Sequence, residues 1–325
     1  MKNNMLFAVA AMAMACSGAA FAACDWAPER PVTVIVPWGA GGTTDTNTRQ
    51  LATMLQERFG VPFNVVNRTG GNGVVGHTAI ARAKPDGYTI GAASVEINTM
   101  HWFGLTDLTY TDITPISLIN MPAASLIVAK DSPFNSVTEI LDYAREHPGE
   151  LTASGTALGG IWHLALAGML NAEGMDPEAI RWVPSQGSAS ALQELLAGGV
   201  DMVTPSLSEG KTLIEAGEVR ALGYMSDTPN EAMPDIPLTA TELPSGWTLA
   251  AYTTIAGPTD LSEDIACAYD EAIADITATP QWADFRTSLG SPVIYGDRAE
   301  LADVMTRYDA SLGDTIKAIG MAKGQ

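Results

Sequence analysis

A chain of 325 residues, 46% of them apolar, has room for one large or two ordinary domains, and 37 acidic against 17 basic side chains leave a formal charge of −20. That charge argues against nucleic acid and anionic lipid as partners, since both would repel it. Small ligands stay open, because local dipoles rather than net charge decide what a pocket holds. Residues 1–22 read as a secretory signal peptide. Lys2 gives a weak positive start, 6–16 is an apolar run too short to span a bilayer, and Ala20-Phe21-Ala22 is a small-x-small cleavage site. The mature chain is then expected to begin at Ala23, soluble and exported to a periplasm. Cys24 and Cys267 are its two cysteines. In an oxidising compartment they suggest a disulfide. "FAAC" is also close to a lipoprotein processing box, although Phe21 stands where an aliphatic residue is usual. A bridged Cys24 and a lipidated Cys24 exclude each other.

Beyond the tail, "PVTVIVPW" is apolar at nearly every position and reads as a strand buried on both faces. It runs into Gly39-Ala40-Gly41-Gly42-Thr43-Thr44-Asp45. Then Leu51, Met54, Leu55 and Phe59 mark one face of a helix that Gly60 stops. The unit recurs. "FNVVN" is a strand, "HTAIARAK" a short helix and "YTIGAAS" a strand. "SVTEILDYAREHPG" opens on a capping box from Ser136 to Glu139. "ELTASG" leads through "TALGG" into the helix "IWHLALAGMLNAEG", and "IRWVP" through "SQGSAS" into "ALQELLAGG". "VDMVTPS", "KTLIEAG" and "VRALGYMS" make one more unit. Alternating short apolar runs and amphipathic stretches predict parallel α/β units. In such sheets ligands lie beyond the carboxyl ends of the strands, where helix starts offer unpaired N–H groups and about half a positive charge. Three small, polar loops, at 38–45, 154–160 and 185–190, therefore predict an anion site built without a basic side chain.

Those loops also carry a resemblance. "RPVTVIVPWGAGGTTDTNTRQLA", "VVNRTGGNGVVGHTAIARAKPDGYTIG", "LTASGTALGGIWHLA" and "WVPSQGSASALQELLAGGVD" resemble, almost end to end, the Bug family of periplasmic solute-binding proteins of tripartite tricarboxylate transporters. The resemblance implies an α/β, two-lobed type II periplasmic binding protein fold with a ligand cleft between the lobes. It implies lobe one at 25–120 plus 251–325 and lobe two at 121–250, with the chain crossing twice. It implies a receptor that captures a small organic carboxylate, passes it to membrane permease subunits, uses no cofactor and works as a monomer. Carried onto this chain, the ligand-binding positions are Trp38, Ala40, Gly41, Gly42, Thr43 and Asp45, then Ser154, Gly155 and Thr156, then Gln186, Gly187 and Ser188. Three departures bear on ligand identity. Trp38-Gly39-Ala40 stands where Phe-x-Pro or Tyr-x-Pro is usual, Ser185-Gln186 replaces a common Tyr-Lys, and Glu96 is an unusual acid in "SVEINTMHW".

Rival readings find little support in the residues. Gly71-x-Gly73-x-x-Gly76 matches a dinucleotide fingerprint, with Glu96 at the expected distance, but export leaves no nicotinamide supply and a tight loop explains the glycines. No H-x-x-x-H spacing, nucleophile elbow or Walker loop is present. For an exported hydrolase only Ser154 with His163 would be worth testing. A sensor partner of a membrane histidine kinase is the other alternative. Asp45 is expected mainly to hold its loop, His163 to be a packed histidine, and Arg68 to meet an anion or to brace its turn.

Overall fold

The computed structural model describes residues 24–323. The signal-peptide expectation at 1–22 lies outside the described residues. Ten strands form two five-stranded sheets. The first sheet has the order β2-β1-β3-β10-β4, from β1 (Val32–Val36), β2 (Phe63–Asn67), β3 (Thr89–Ser94), β4 (Ile113–Asn120) and β10 (Thr253–Pro258). The second has the order β7-β6-β8-β5-β9, from β5 (Ser125–Ala129), β6 (Thr152–Ser154), β7 (Arg181–Trp182), β8 (Met202–Val203) and β9 (Val219–Tyr224). The helices are α1 (Thr43–Phe59), α2 (Val74–Ala81), α3 (Val137–Glu146), α4 (Ile161–Ala172), α5 (Ser188–Leu196), α6 (Leu207–Glu215), α7 (Thr239–Glu242), α8 (Glu263–Thr277), α9 (Pro280–Ser288) and α10 (Arg298–Ala318).

The apolar run of β1 behaves as its composition demands. Val32, Val34, Ile35 and Val36 are all buried, in parallel register with β2 (Val32 opposite Phe63) and β3 (Ile35 opposite Gly91). Behind this sheet Leu51, Leu55, Tyr269, Ile273 and Trp282 close one core. A larger core runs from Ile80 and Met100 through Leu126, Leu164 and Met169 to Met305 and Leu312, so α10 and α4 share apolar contacts.

One expectation needs correcting. The units are not all parallel, because each sheet holds one reversed strand: β10 is antiparallel to β3 and β4, and β5 is antiparallel to β8 and β9. Each reversed strand is the first that the chain enters on arriving from the other sheet. A parallel neighbour needs a crossover of a dozen or more residues. Only 121–124 separate β4 from β5, so the chain runs straight through. The two passages are also paired with each other: Ala123 bridges Ala250, the Ala251 N–H donates to the Pro122 carbonyl at 2.9 Å, and the Ala124 N–H donates to the Leu249 carbonyl at 2.9 Å. At α3, Ser136 accepts the Glu139 N–H as the sequence suggests, but the Glu139 carboxylate reaches the N–H of Asn135 rather than that of Ser136.

A disulfide joins Cys24 to Cys267 on α8, with the Cα atoms 5.8 Å apart and a sequence separation of 243. That sulfur is then not free for a lipid. Closing so long a loop restricts the unfolded chain. Cys267→Ala should therefore cost about 2–4 kcal/mol, read as a lower denaturant midpoint under oxidising conditions. An unchanged midpoint would show that the tail contributes nothing to stability.

Candidate functional site

The carboxyl ends of β1, β3, β6 and β7 deliver the loops of interest. After β1, Gly39, Ala40, Gly41 and Gly42 are exposed, and Thr43 opens α1 half-buried. Gly42 is the residue before the helix, in extended conformation, and no side chain caps the first turn. The loop is shaped by Asp45. Its carboxylate, 2% exposed, accepts from the Gly41 N–H (2.9 Å), the Arg49 Nε (2.9 Å) and the Asn67 Nδ2 (2.8 Å). Burial opposes this ionisation, but the hydrogen bonds from Arg49, Gly41 and Asn67 together hold the carboxyl below its usual range. Asp45 is thus a brace with three donors on about four acceptor sites, and the Gly41 N–H is engaged with it.

The second loop leaves β6 at Ser154. The Ser154 hydroxyl donates to the Val183 carbonyl at 2.7 Å. Gly155 is a packing position: a Cβ there would lie 2.8 Å from the Trp162 Cβ and 3.0 Å from the Trp182 ring. Both positions take part in packing the second sheet. Thr156 differs. Its carbonyl accepts the Trp182 Nε1 and the Ser185 N–H, while its Oγ1 is buried without a partner. Gly160 precedes α4, again with no side-chain cap. In the third loop Gln186 is exposed and Gly187 stands uncapped before α5. The Ser188 hydroxyl accepts the Trp162 Nε1 at 3.0 Å, which ties α5 to α4 and leaves the Ser188 O–H as a donor.

Beside the first loop, Trp38 and Glu96, both noted in the sequence, are joined through Ser94, which was not. Trp38, half-buried, donates from Nε1 to the Ser94 Oγ (2.9 Å), and that hydroxyl donates to the Glu96 Oε2 (2.7 Å). Beneath them His77 is fully buried, with Nδ1 against the Gly73 carbonyl (2.8 Å) and Nε2 accepting the Ser94 N–H (3.0 Å). The glycines of the 71–76 motif serve this packing. A Cβ on Gly76 would fall 2.4 Å from the Pro37 Cα, so α2 can lie against the turn after β1 only with glycine there. Arg68 points elsewhere. With Arg30, Arg82, Lys84 and Asp86 it lines a separate cavity of about 550 Å³ beside β1 and β3.

The hydrolase pair does not form. Ser154 is committed to Val183, and the His163 Nδ1 accepts the Gly159 N–H at 3.2 Å. Asp201 spends its Oδ2 on the Thr152 N–H and hydroxyl, both at 2.7 Å. Burial lowers His77 and His163 from 6.5 to about 4. Both rings are neutral in the fold at neutral pH, whereas the unfolded chain takes up their protons below about 6.5, so stability falls with acidification between about 6.5 and 4. Each ring can contribute up to about 3 kcal/mol to that loss. Glu96, raised by burial, acts in the opposite sense, since the fold binds its proton more readily than the unfolded chain does. Ring titration by NMR should place both histidines below pH 5, with a falling urea midpoint from pH 6.5 downward. Titration of either ring near 6.5 would contradict its burial.

The family described as the tripartite tricarboxylate transporter family receptor matches residues 47–321. The chain belongs to this family. A UPF0065 protein from the tcbD-tcbE intergenic region of Pseudomonas sp. (strain P51) is 30% identical over 299 residues, 88% of this chain and 87% of that one. Protein BugT of Bordetella pertussis (strain Tohama I / ATCC BAA-589 / NCTC 13251) is 30% identical over 245 residues, 74% of each. Among solved structures, R. palustris Rpa4515 with adipate superposes with a TM-score of 0.83 at 28% identity, covering 92% of this chain and 99% of that one. A TctC solute-binding protein from Polaromonas superposes at 0.72 with 26% identity, covering 89% and 99%. These receptors share the two-lobed periplasmic binding protein fold, and the two sheets described above are its two lobes.

Proposed function

We propose that this protein is a periplasmic receptor that captures a small organic carboxylate between its lobes and delivers it to the membrane subunits of a tripartite tricarboxylate-type transporter. In this reading residues 1–22 direct export and are removed. The mature protein acts as a monomer without cofactor or catalysis, and the lobes are 25–120 plus 251–325 and 121–250. The observation that carries the reading is a contrast among helix starts. Helices α3, α8, α9 and α10 are capped by the side chains of Ser136, Ser262, Thr279 and Asp297. Helices α1, α4 and α5, which follow the three polar loops, start on Gly42, Gly160 and Gly187 with no such cap; α2, on Gly73, and α7 are uncapped as well. Uncapped starts leave N–H groups and the positive end of the helix dipole for an anion. Glycine also lets that anion approach the backbone. The adipate held by the R. palustris relative is a molecule of the matching class.

Calorimetry with mono-, di- and tricarboxylates should find a binder with stoichiometry near one, and mass spectrometry should recover it unchanged. Chemical conversion of the bound compound by pure protein would overturn the receptor reading. So would a screen in which no carboxylate binds.

A further inference from the structure

The charge of this chain is unevenly spread. Acidic side chains outnumber basic ones by 37 to 17. Yet the cavity beside β1 and β3 is lined by Arg30, Arg68, Arg82 and Lys84 against a single acid, Asp86. All five are exposed. Arg30 is balanced locally: its Nη2 lies 3.3 Å from the Asp86 Oδ2, and its guanidinium sits 3.5 Å from the centre of the Tyr88 ring. The other three are not. Among the described residues, Arg68, Arg82 and Lys84 form no ion pair. The fold explains why this ground is open. Val32, Val34 and Val36 of β1 face the core that α1 and α8 close, so Thr33 and Ile35 face the opposite way and floor the cavity. On that face α2 packs over β3, where Gly91 makes room for Ile80. Over β2, at the sheet edge, the same face is bare: Asn64 and Val66, the partners of Thr33 and Ile35, are both exposed. The cavity thus widens into a trough along the sheet edge. Arg30 and Lys84 come before β1 and β3, and Arg68 follows β2, so cations stand at both of its ends. At roughly 3.3 Å per residue, strands of this length set those ends about 16 Å apart.

We propose that this trough is a docking surface for a short acidic segment of the transporter's membrane subunits, bound in extended form with its carboxylates on Arg68, Arg82 and Lys84. This rests on the receptor reading above and gives it a contact surface on lobe one. Charge complementarity selects the occupant. A flat anionic membrane would meet the whole surface of a chain of charge −20, and screening removes that repulsion only beyond about 8–10 Å. A protruding segment meets the cations alone and leaves the acidic remainder at a distance. A single small anion would satisfy one end of the trough and leave the other. An extended segment of about five residues reaches both, and each guanidinium can hold a carboxylate through two parallel bonds. None of the three polar loops lines this ground, so docking leaves the ligand site free.

The test measures binding of the full mature receptor to its membrane subunits held in neutral-lipid nanodiscs, and to a fluorescent peptide of alternating aspartate and serine. The same peptide with asparagine for aspartate is the control. Wild type is expected to bind the acidic peptide about tenfold or more tightly than the neutral one. Arg82→Glu with Lys84→Glu should weaken both the peptide and the nanodisc complex about tenfold or more, since two exposed pairs are lost and two repulsions gained. Arg58→Glu with Arg307→Glu makes the same change in net charge on exposed side chains of α1 and α10, and should leave both affinities within about twofold. Gly42→Val should leave them unchanged too, which separates the trough from the ligand site. The docking assignment is overturned if the two double variants behave alike, or if the two peptides bind equally. It is also overturned if inorganic phosphate displaces the acidic peptide at equal concentration, or if phosphatidylglycerol vesicles bind wild type and lose the Arg82→Glu, Lys84→Glu variant. In each of these cases carboxylate binding measured by calorimetry is untouched and the receptor reading survives. If no carboxylate binds, the receptor reading falls and the docking assignment with it.

Discussion

Arg286→Ala should lower folding stability by about 3–5 kcal/mol, the range seen when one partner of a buried charged network is removed. Arg286 lies on α9 with no exposed surface. Its guanidinium donates to the Asn47 Oδ1, the Asn120 Oδ1 and the Pro292 carbonyl. Burial alone lowers its pKa, to about 10, so it remains a cation at neutral pH, solvated by amide oxygens in place of water. Alanine would leave those acceptors buried and unpaired beside a cavity, at about 1–3 kcal/mol for each unsatisfied group. Lysine would restore the charge but not the planar fork, and should recover little. A urea midpoint within error of wild type for Arg286→Ala would refute this account. The effect should reach the site as well. Asn47 holds the Thr43 carbonyl through its Nδ2 at 2.7 Å, and Asn120 ends β4 at the passage between lobes.

Gly42→Val should weaken carboxylate binding about a hundredfold or more while leaving stability nearly unchanged. Two charge-assisted amide bonds at roughly 1.5–3 kcal/mol each set that scale. Gly42 has φ −74° and ψ 168°, which valine adopts without strain. A Cβ there meets only the Gly39 carbonyl, at 3.7 Å. The side chain therefore fits the fold and intrudes only where a ligand would approach the α1 start. Thr156→Ala gives the complementary case. Its hydroxyl has no partner to lose, so stability should hold, while affinity falls about tenfold if the ligand uses it. Wild-type affinity in Gly42→Val would move the anion away from this helix start.

The strands and helices around the first loop were legible because local rules suffice there. An apolar run followed by Gly-Gly-Thr-Thr-Asp and a 3.6-residue pattern can hardly be anything but strand, turn and helix start. The sense of β5 and β10 was not legible, because direction follows from the path between lobes and leaves no mark on a strand's own periodicity. Asp45 illustrates the limit within the site. Its place in the first turn was visible, but its three donors include Asn67 from β2, and only the fold could show that partner. Ser154, Gly155 and Ser188 are similar, since their roles depend on Val183, Trp182 and Trp162. Glu96 left a fainter trace. Its acidic character was out of place in its segment, yet nothing in the sequence joined it through Ser94 to Trp38.

The paired passages at 121–124 and 249–251 have a mechanical consequence. Two tethers laid side by side and bonded to each other resist twist and lateral slip, and leave flexion as the soft coordinate. Flexion about them, with the α10–α4 packing giving way, would reduce the state of the whole molecule to one angle. A membrane partner that touched one patch on each lobe could read occupancy as a distance between two points, without ever meeting the ligand. Any compound that stabilised the same angle would send the same signal, so discrimination among ligands has to be completed inside the cleft before the reading is made.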